Sequence, residues 1–314
     1  MAKNELRENI LTNELVIIAG ERAKRPVFFQ KIKQRKLSRN CPFCPGNEDK
    51  TTGTQSIVKN KRWVVRSIKN KYPIVVDNKI KSIPIRDFPF YTHYPISGNH
   101  EVIIETREHN KEAYNMGVEQ MRNVIDMFVE RYSAMISSKD AKFVSIFKNR
   151  GEEAGASISH PHSQIISLPI IPKKILVESK KMGKKCVMCE IVEEKERTIY
   201  ENTSFTAMCP YAPKFPYEVW IISKKHIKSI LEMGEKEKND LADIMCVIFR
   251  AMENFLGEFP YNYSIHQAPK GRNFHFHIEI YPRLSKLAGL EIGSSIYVNI
   301  MPPEKACAEI IKNL

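Results

Sequence analysis

Two Cys-x-x-Cys pairs, Cys41/Cys44 and Cys186/Cys189, each stand at the head of the same series of features. After the first pair, Glu101-Val102-Ile103-Ile104 leads to His109, eight residues beyond the glutamate. After the second, Glu218-Val219-Trp220-Ile221-Ile222 leads to His226 at the same separation. About 50 residues beyond each histidine comes a His-x-His, first His160-Pro161-His162 and then His275-Phe276-His277. The first runs on to Gln164-Ile165 and the second to Glu279-Ile280. Four features recurring in one order predict two homologous halves, residues 1–172 and 173–314, rather than one long unrepeated chain.

Hydrophobic patterning predicts the same elements in each half. Val102–Glu105 and Val219–Ser223 are short, β-branched runs of the kind that form buried strands. Residues 111–136 place Val118, Met121, Val124, Ile125, Phe128, Tyr132 and Met135 at helical spacing. Residues 227–256 do the same with Leu241, Ile244, Met245, Ile248, Phe249, Met252 and Phe255. Phe143–Phe147 and Tyr261–Ile265 read as further strands before each His-x-His. The expected class is α+β, each half an antiparallel sheet with one long helix.

Seven cysteines, an odd number, and no export signal argue against a disulfide framework. Zinc requires four sulfur or nitrogen ligands in a tetrahedron. Cys41 and Cys44 could meet His109 and one histidine of the His160/His162 pair. Cys186 and Cys189 could meet His226 and one of His275 and His277, His275 being the choice carried forward. His100 is a substitute for His109, although Tyr217 stands at its place in the second half, and His266 is an alternative second-site ligand. Two histidines two apart on a strand share one face, so one can bind metal while the other attacks phosphorus. Just upstream, Asn149-Arg150-Gly151 and Gly155-Ala156-Ser157 supply small residues and N–H groups suited to phosphate.

With these motifs the sequence resembles the galactose-1-phosphate uridylyltransferase family, the transferase branch of the histidine-triad superfamily, over nearly its whole length. Arg22-Ala23-Lys24-Arg25-Pro26 matches the family's Arg-x-x-Arg-Pro, which implies that Arg22 and Arg25 face nucleotide phosphates. Cys41-Pro42-Phe43-Cys44-Pro45-Gly46-Asn47 matches its metal-binding segment. The resemblance further implies that Asn70 contacts the nucleoside, that Asn149, Gly151 and Ser157 contact phosphate, and that Glu291 binds sugar hydroxyls. It makes His160 a zinc ligand, His162 the nucleophile and Gln164 a partner of the phosphoryl group. Glutamine does not titrate, so Gln164 favours transfer over the hydrolysis that a third histidine would assist.

The second cysteine pair and Gly289-Leu290-Glu291-Ile292-Gly293 depart from most uridylyltransferases and lean towards ADP-glucose phosphorylase. The reading is a nucleotidyltransferase of galactose metabolism, UDP-glucose–hexose-1-phosphate uridylyltransferase first and an adenylyltransferase as the alternative. The resemblance implies a homodimer with two zinc ions per chain, acting on a nucleoside-diphosphate sugar and a sugar 1-phosphate. The formal charge of +13 raises a rival, a zinc-containing nucleic-acid-binding protein. Its spacing is wrong, because a compact finger places its histidines about 12 residues after the second cysteine. No apolar run approaches the roughly 20 residues of a membrane span, and the opening Met1–Glu5 has no signal-peptide core. A soluble, cytoplasmic protein without membrane or nucleic-acid partners is the expectation.

Overall fold

The computed structural model describes residues 4–24, 40–78, 80–183 and 185–314. In chain order the strands are β1 (Glu5–Glu8), β2 (Leu15–Ile18), β3 (Gly53–Lys59), β4 (Arg62–Lys69), β5 (Ile85–Phe88), β6 (Tyr91–His93), β7 (His100–Ile104), β8 (Phe143–Arg150) and β9 (His162–Leu168). They continue as β10 (Thr198–Glu201), β11 (Phe205–Met208), β12 (Val219–Ser223), β13 (Tyr261–His266), β14 (His277–Pro282) and β15 (Tyr297–Asn299). The helices are α1 (Val118–Ile136), α2 (Lys173–Lys181), α3 (Val187–Ile191), α4 (Glu235–Leu256), α5 (Gly289–Ser294) and α6 (Pro303–Ile311). Among the described residues no helix is long and apolar enough to cross a membrane.

Ten strands form one antiparallel sheet in the order β10-β11-β12-β14-β13-β8-β9-β7-β4-β3. Read outward from the central β13–β8 pair, the two sets of five follow the same plan in the expected α+β class, but the pairing of β13 with β8 joins them into one sheet where one sheet in each half was expected. Alternation then sorts every strand into two faces. Ile103, Val144, Ile146, Ile165, Ile221, Ile265, Ile278 and Ile280 point to one side and pack with the apolar stripes of α1 and α4 into a single core. Phe143, Met208, Trp220 and Ile222 point the other way in one cluster, and Val102 and Ile104 in another with Cys41 and Phe43. His162 and Gln164, and their counterparts His277 and Glu279, lie on this second face.

Both long helices start later than their periodicity indicates. α1 begins at Val118 because Gly117 holds φ +81°, a left-handed conformation that side-chain-bearing residues avoid. α4 begins at Glu235, after the separate 3₁₀ turn Ile230–Glu232 and the extended Gly234. The His-x-His segments also enter the sheet only at their second histidine. Pro161, which has no N–H to give to a ladder, precedes β9.

The glutamates of the repeat are not equivalent in space. Ile104 pairs with His162 and Ile222 with His277, so Val102 faces Gln164 where Trp220 faces Glu279. Counting back two residues, the counterpart of Glu218 is His100, not Glu101, and Tyr217 is not the counterpart of His100. Glu101 accordingly lies on the helix-covered face, where its carboxylate receives two hydrogen bonds from Arg131 of α1. Glu218 lies on the other face with Trp220, whose indole N–H it accepts at 3.1 Å. A one-residue shift of register moves a side chain to the opposite face.

Candidate active site and metal centres

The loop that begins at Cys41 is a tight turn in which Cys44 N–H donates to Cys41 O (3.2 Å) and Asn47 Nδ2 closes on the same carbonyl (2.9 Å). It brings Cys41 and Cys44 to His109, from the loop after β7, and to His160, from the residues just before β9, in a group that could hold a metal ion. Cys44 Sγ lies 3.3 Å from His109 Nδ1 and 3.5 Å from His160 Nδ1. Those spacings match the edge of a tetrahedron with metal–sulfur and metal–nitrogen bonds of about 2.3 and 2.0 Å, which is about 3.5 Å. His160 Nε2 donates to Thr106 O at 2.8 Å, a bond that leaves its Nδ1 lone pair for the cluster. Burial and the neighbouring Cys41 push the Cys44 thiol up to about 11, and burial pushes His160 down to about 4. Sulfur ligands crowded in this way are stable as thiolates only beside a cation.

The second half repeats the arrangement with Cys186, Cys189, His226 and His275. His275 Nδ1 is 3.4 Å from both sulfurs, His226 Nδ1 is 3.3 Å from Cys189 Sγ, and His275 Nε2 donates to Ser223 O at 2.7 Å. His275 rather than His277 is therefore the member of its pair that meets the cysteines.

His162 has a different task. Its ring is buried, its edge packs on Phe43 (centroids 5.3 Å apart), and its Nδ1–H donates to His160 O at 2.8 Å. Nε2 is thereby left as the lone-pair nitrogen. Burial lowers the pKa of this histidine, favouring the neutral ring. Behind the strand, Lys148, Glu105 and Glu112 form a buried ion cluster that Ser163 and Tyr263 complete through their hydroxyls. This cluster behind the strand that carries His162 has no signature in the sequence.

Gln164 lies two residues along β9 on the face of His162, and its Oε1 is 2.8 Å from His100 Nε2. His100 is thus not a substitute metal ligand; Asn70 Nδ2 is its other side-chain neighbour, 3.0 Å away. At the sheet centre, Asn149 Oδ1 accepts from Asn262 Nδ2 at 2.9 Å, a bond across β8 and β13 that the motifs did not reveal. Gly151 (φ +82°) and Gly155 (φ +83°) bracket the 3₁₀ turn Glu152–Ala154 that leads to the exposed Ser157. Both need glycine's freedom at positive φ. Arg22 is exposed in the 3₁₀ turn Gly20–Lys24, and Arg25 lies outside the described residues. Glu291 accepts the Ala288 N–H at 2.9 Å, and among the described residues no hydrogen bond or ion pair joins it to His162 or Gln164. A cavity of about 450 Å³ lined by Met208, Tyr211, Trp220 and Arg197 lies over the outer strands of the second half, away from His162. Neither His162 nor either Cys/His group lines this cavity.

The second-half counterparts of His162 and Gln164 are His277 and Glu279, and there the space is filled. His277 Nδ1 repeats the bond to a histidine carbonyl, His275 O, at 2.9 Å. Helix α2, however, brings Lys174 Nζ to 2.6 Å from Glu279, while Glu178 and Glu279 take His266 between them at 2.9 and 3.2 Å. His266 is therefore not a ligand of the Cys186 group. Glu178, His266, His277 and Glu279 are close enough to share a metal ion. Lys174 and a protonated His266 already balance the two carboxylates. Although burial opposes it, the Glu178 and Glu279 carboxylates raise His266 to about 9. A folded-state pKa above the ordinary 6.5 contributes stability below pH 6.5 that is lost as pH rises through about 9. The melting temperature should fall across that range, and His266→Gln, less stable at pH 7, should lose this part of the fall. An unchanged profile in His266→Gln contradicts the assignment.

The profile for the N-terminal domain of galactose-1-phosphate uridyl transferase matches residues 1–172, and that for its C-terminal domain matches residues 144–295. A galactose-1-phosphate uridylyltransferase of Thermotoga maritima is 33% identical, with 98% of this chain and 97% of the relative covered. An ADP-glucose phosphorylase of Arabidopsis thaliana is 29% identical, with 96% and 90% covered. The crystal structure of an Arabidopsis ADP-glucose phosphorylase with bound ADP-glucose superimposes with a TM-score of 0.84 at 27% identity, covering 98% of this chain and 99% of that one.

Proposed function

The chain belongs to the galactose-1-phosphate uridylyltransferase family of nucleotidyltransferases, and from that premise we propose that it transfers a nucleotidyl group between sugar phosphates by way of His162. The observation that carries the proposal is the bond from His162 Nδ1 to His160 O, which leaves Nε2 free to attack. Nε2 attacks the α-phosphorus of a nucleoside-diphosphate sugar. The bond from that phosphorus to the bridging oxygen breaks, and its electron pair leaves with sugar 1-phosphate. In the second step an oxygen of another sugar 1-phosphate attacks phosphorus, the phosphorus–nitrogen bond breaks and its pair returns to Nε2. Neither leaving group needs a proton. The His160 carbonyl stabilises the positive charge that the ring gains, as fixed dipoles do best in a buried site. Arg22, Arg25, Asn149, Gly151, Ser157 and Gln164 are the proposed contacts to phosphate, with Asn70 on the nucleoside and Glu291 on sugar hydroxyls.

Zinc fits both Cys₂His₂ groups, and its chemistry there is structural cross-linking of loop to strand. His160 would fix the start of β9 and so the backbone carbonyl that orients His162. We propose two zinc ions per chain. Changing Cys186 and Cys189 to serine should remove one of them and lower the melting temperature by roughly 5–10 °C. Much of the transfer activity should remain, because that group is built around the counterpart of the nucleophile rather than His162 itself. Zinc content equal to wild type in the double variant contradicts the second site. The homodimer draws support from exposed apolar side chains at Tyr72, Ile74, Phe90 and Tyr91, and sedimentation equilibrium tests it.

UDP-glucose with galactose 1-phosphate is the first proposed substrate pair, from the names that most of the curated relatives carry. An adenylyl reading is favoured by Leu290 and by a second cysteine-bearing centre, Cys186/Cys189, and the ADP-glucose phosphorylase fold matches closely. Initial rates with UDP-glucose and ADP-glucose, each offered galactose 1-phosphate or inorganic phosphate, decide between them. Turnover of UDP-glucose with galactose 1-phosphate supports the first reading. Release of glucose 1-phosphate from ADP-glucose alone, with phosphate as acceptor, replaces it with the second.

A further inference from the structure

His100 is a buried histidine that the transfer chemistry above does not use, yet it touches residues proposed for both ends of the nucleotide. Its surroundings determine where its single ring proton sits. The Ile74 backbone N–H, which can only donate, points at His100 Nδ1 from 3.2 Å. Nδ1 is therefore an acceptor and Nε2 carries the hydrogen. Burial lowers the pKa of the ring, which keeps it in this neutral form. Two side chains lie near Nε2. The Asn70 amide nitrogen, at 3.0 Å, has no lone pair to offer, and Asn70 Oδ1 is taken by the Tyr72 N–H at 2.9 Å. The Gln164 Oε1 at 2.8 Å is the acceptor.

We infer that His100 is a positioning residue for Gln164: its Nε2–H holds Gln164 Oε1 so that the amide turns its N–H donors, not its oxygen, towards the transferring phosphoryl group. An amide is nearly symmetric in shape but opposite in charge at its two ends. Turned the wrong way, Gln164 would present lone pairs to phosphoryl oxygens and oppose the transition state. A glutamine without a third group to bond its oxygen has no reason to prefer one orientation. The chain Ile74 N–H, His100, Gln164 removes that ambiguity before substrate binds, which is the benefit of a preorganised donor. The second half shows the alternative. Glu218 stands at the place of His100 and Glu279 at that of Gln164, and burial, with the nearby Glu279 carboxylate adding to it, raises Glu218 to about 7. An oriented amide donor is absent there, and Lys174 fills the space instead.

The inference rests on the proposed transfer through His162, and a double-mutant cycle separates the two. The measurement is the single-turnover rate of nucleotidyl-enzyme formation at saturating UDP-glucose, or ADP-glucose if the wild-type enzyme turns over only that. If the wild-type enzyme forms no adduct with either, the transfer reading itself fails. If it does, His100→Ala should slow formation about 10- to 100-fold, a fraction of the roughly 10²- to 10³-fold cost of losing a transition-state donor outright. KM should move less than about threefold, since the amide acts on the transition state. Gln164→Ala should be at least as slow, and adding His100→Ala to it should change the rate by less than about twofold. His100→Gln, whose amide N–H reaches towards the place of Nε2–H, should recover part of the loss. A double variant slower than Gln164→Ala by the full factor of His100→Ala overturns the inference. So does a His100→Gln enzyme, folded by circular dichroism, that is no faster than His100→Ala.

Discussion

Replacing Cys41 and Cys44 by serine should remove one metal ion per chain and at least about 10²-fold of activity, a larger effect than the matching change at Cys186 and Cys189. The reason lies in what each group holds. Cys41 and Cys44 share their cluster with His160, whose carbonyl accepts the His162 Nδ1–H at 2.8 Å. Phe43, between the two cysteines, packs against both His160 and His162. Without the proposed metal, the loop that begins at Cys41 loses its tie to β9, and His162, the proposed nucleophile, loses the bond that fixes its tautomer. Small displacements of a nucleophile from its attack geometry cost rates of about this size. Metal analysis of purified variants, with thermal melts and turnover measured side by side, checks the ranking. Equal activity losses in the two double-serine variants would contradict it.

His162→Ala should reduce turnover by at least about 10⁴-fold, the order seen when a covalent nucleophile is deleted. The ring is buried and contributes its packing on Phe43, so some loss of stability is also expected. Nucleotide should still bind, because the contacts proposed at Asn70, Asn149 and the loop at Gly151–Ser157 remain. His160→Ala should differ in kind, lowering metal content as well as rate. Binding titration together with metal analysis distinguishes the two variants, and a His162→Ala enzyme retaining a tenth of wild-type turnover would remove this residue from the mechanism.

Much of the site is written in short motifs, and those were legible in the sequence. Cys41/Cys44, His109 and His160 come together as one group, as do Cys186/Cys189, His226 and His275, because ligand type and repetition constrain them more than distance along the chain does. Strands β7, β8, β12 and β13 and the two long helices followed from their periodicities, with helix starts displaced by Gly117 and Gly234. What stayed hidden depends on pairing register and on contacts between distant segments. Glu101 and Glu218 look equivalent at eight residues from a histidine, yet a one-residue difference in register puts them on opposite faces of the sheet. His100 looked like a spare metal ligand, and only its place across from β9 makes it the partner of Gln164. Lys174 and Glu178 belong to a helix in the stretch between the motifs. No local pattern announces that they enter the space that the first half keeps for His162 and Gln164. Asn262 likewise becomes visible only when β13 pairs with β8.

The central claim, transfer through His162, is tested most directly by the mass of the intact enzyme after mixing with sugar nucleotide in the absence of any acceptor. The wild-type chain should gain the mass of one nucleotidyl group and release one equivalent of sugar 1-phosphate in a burst. The adduct should break down in acid, where protonation weakens a phosphorus–nitrogen bond, and persist at neutral pH because Gln164 cannot act as a base towards water. Addition of a sugar 1-phosphate should return the original mass, and His162→Ala should show no gain. An adduct that persists in His162→Ala, or turnover by a wild-type enzyme that never acquires the mass and requires both substrates together, would contradict the account.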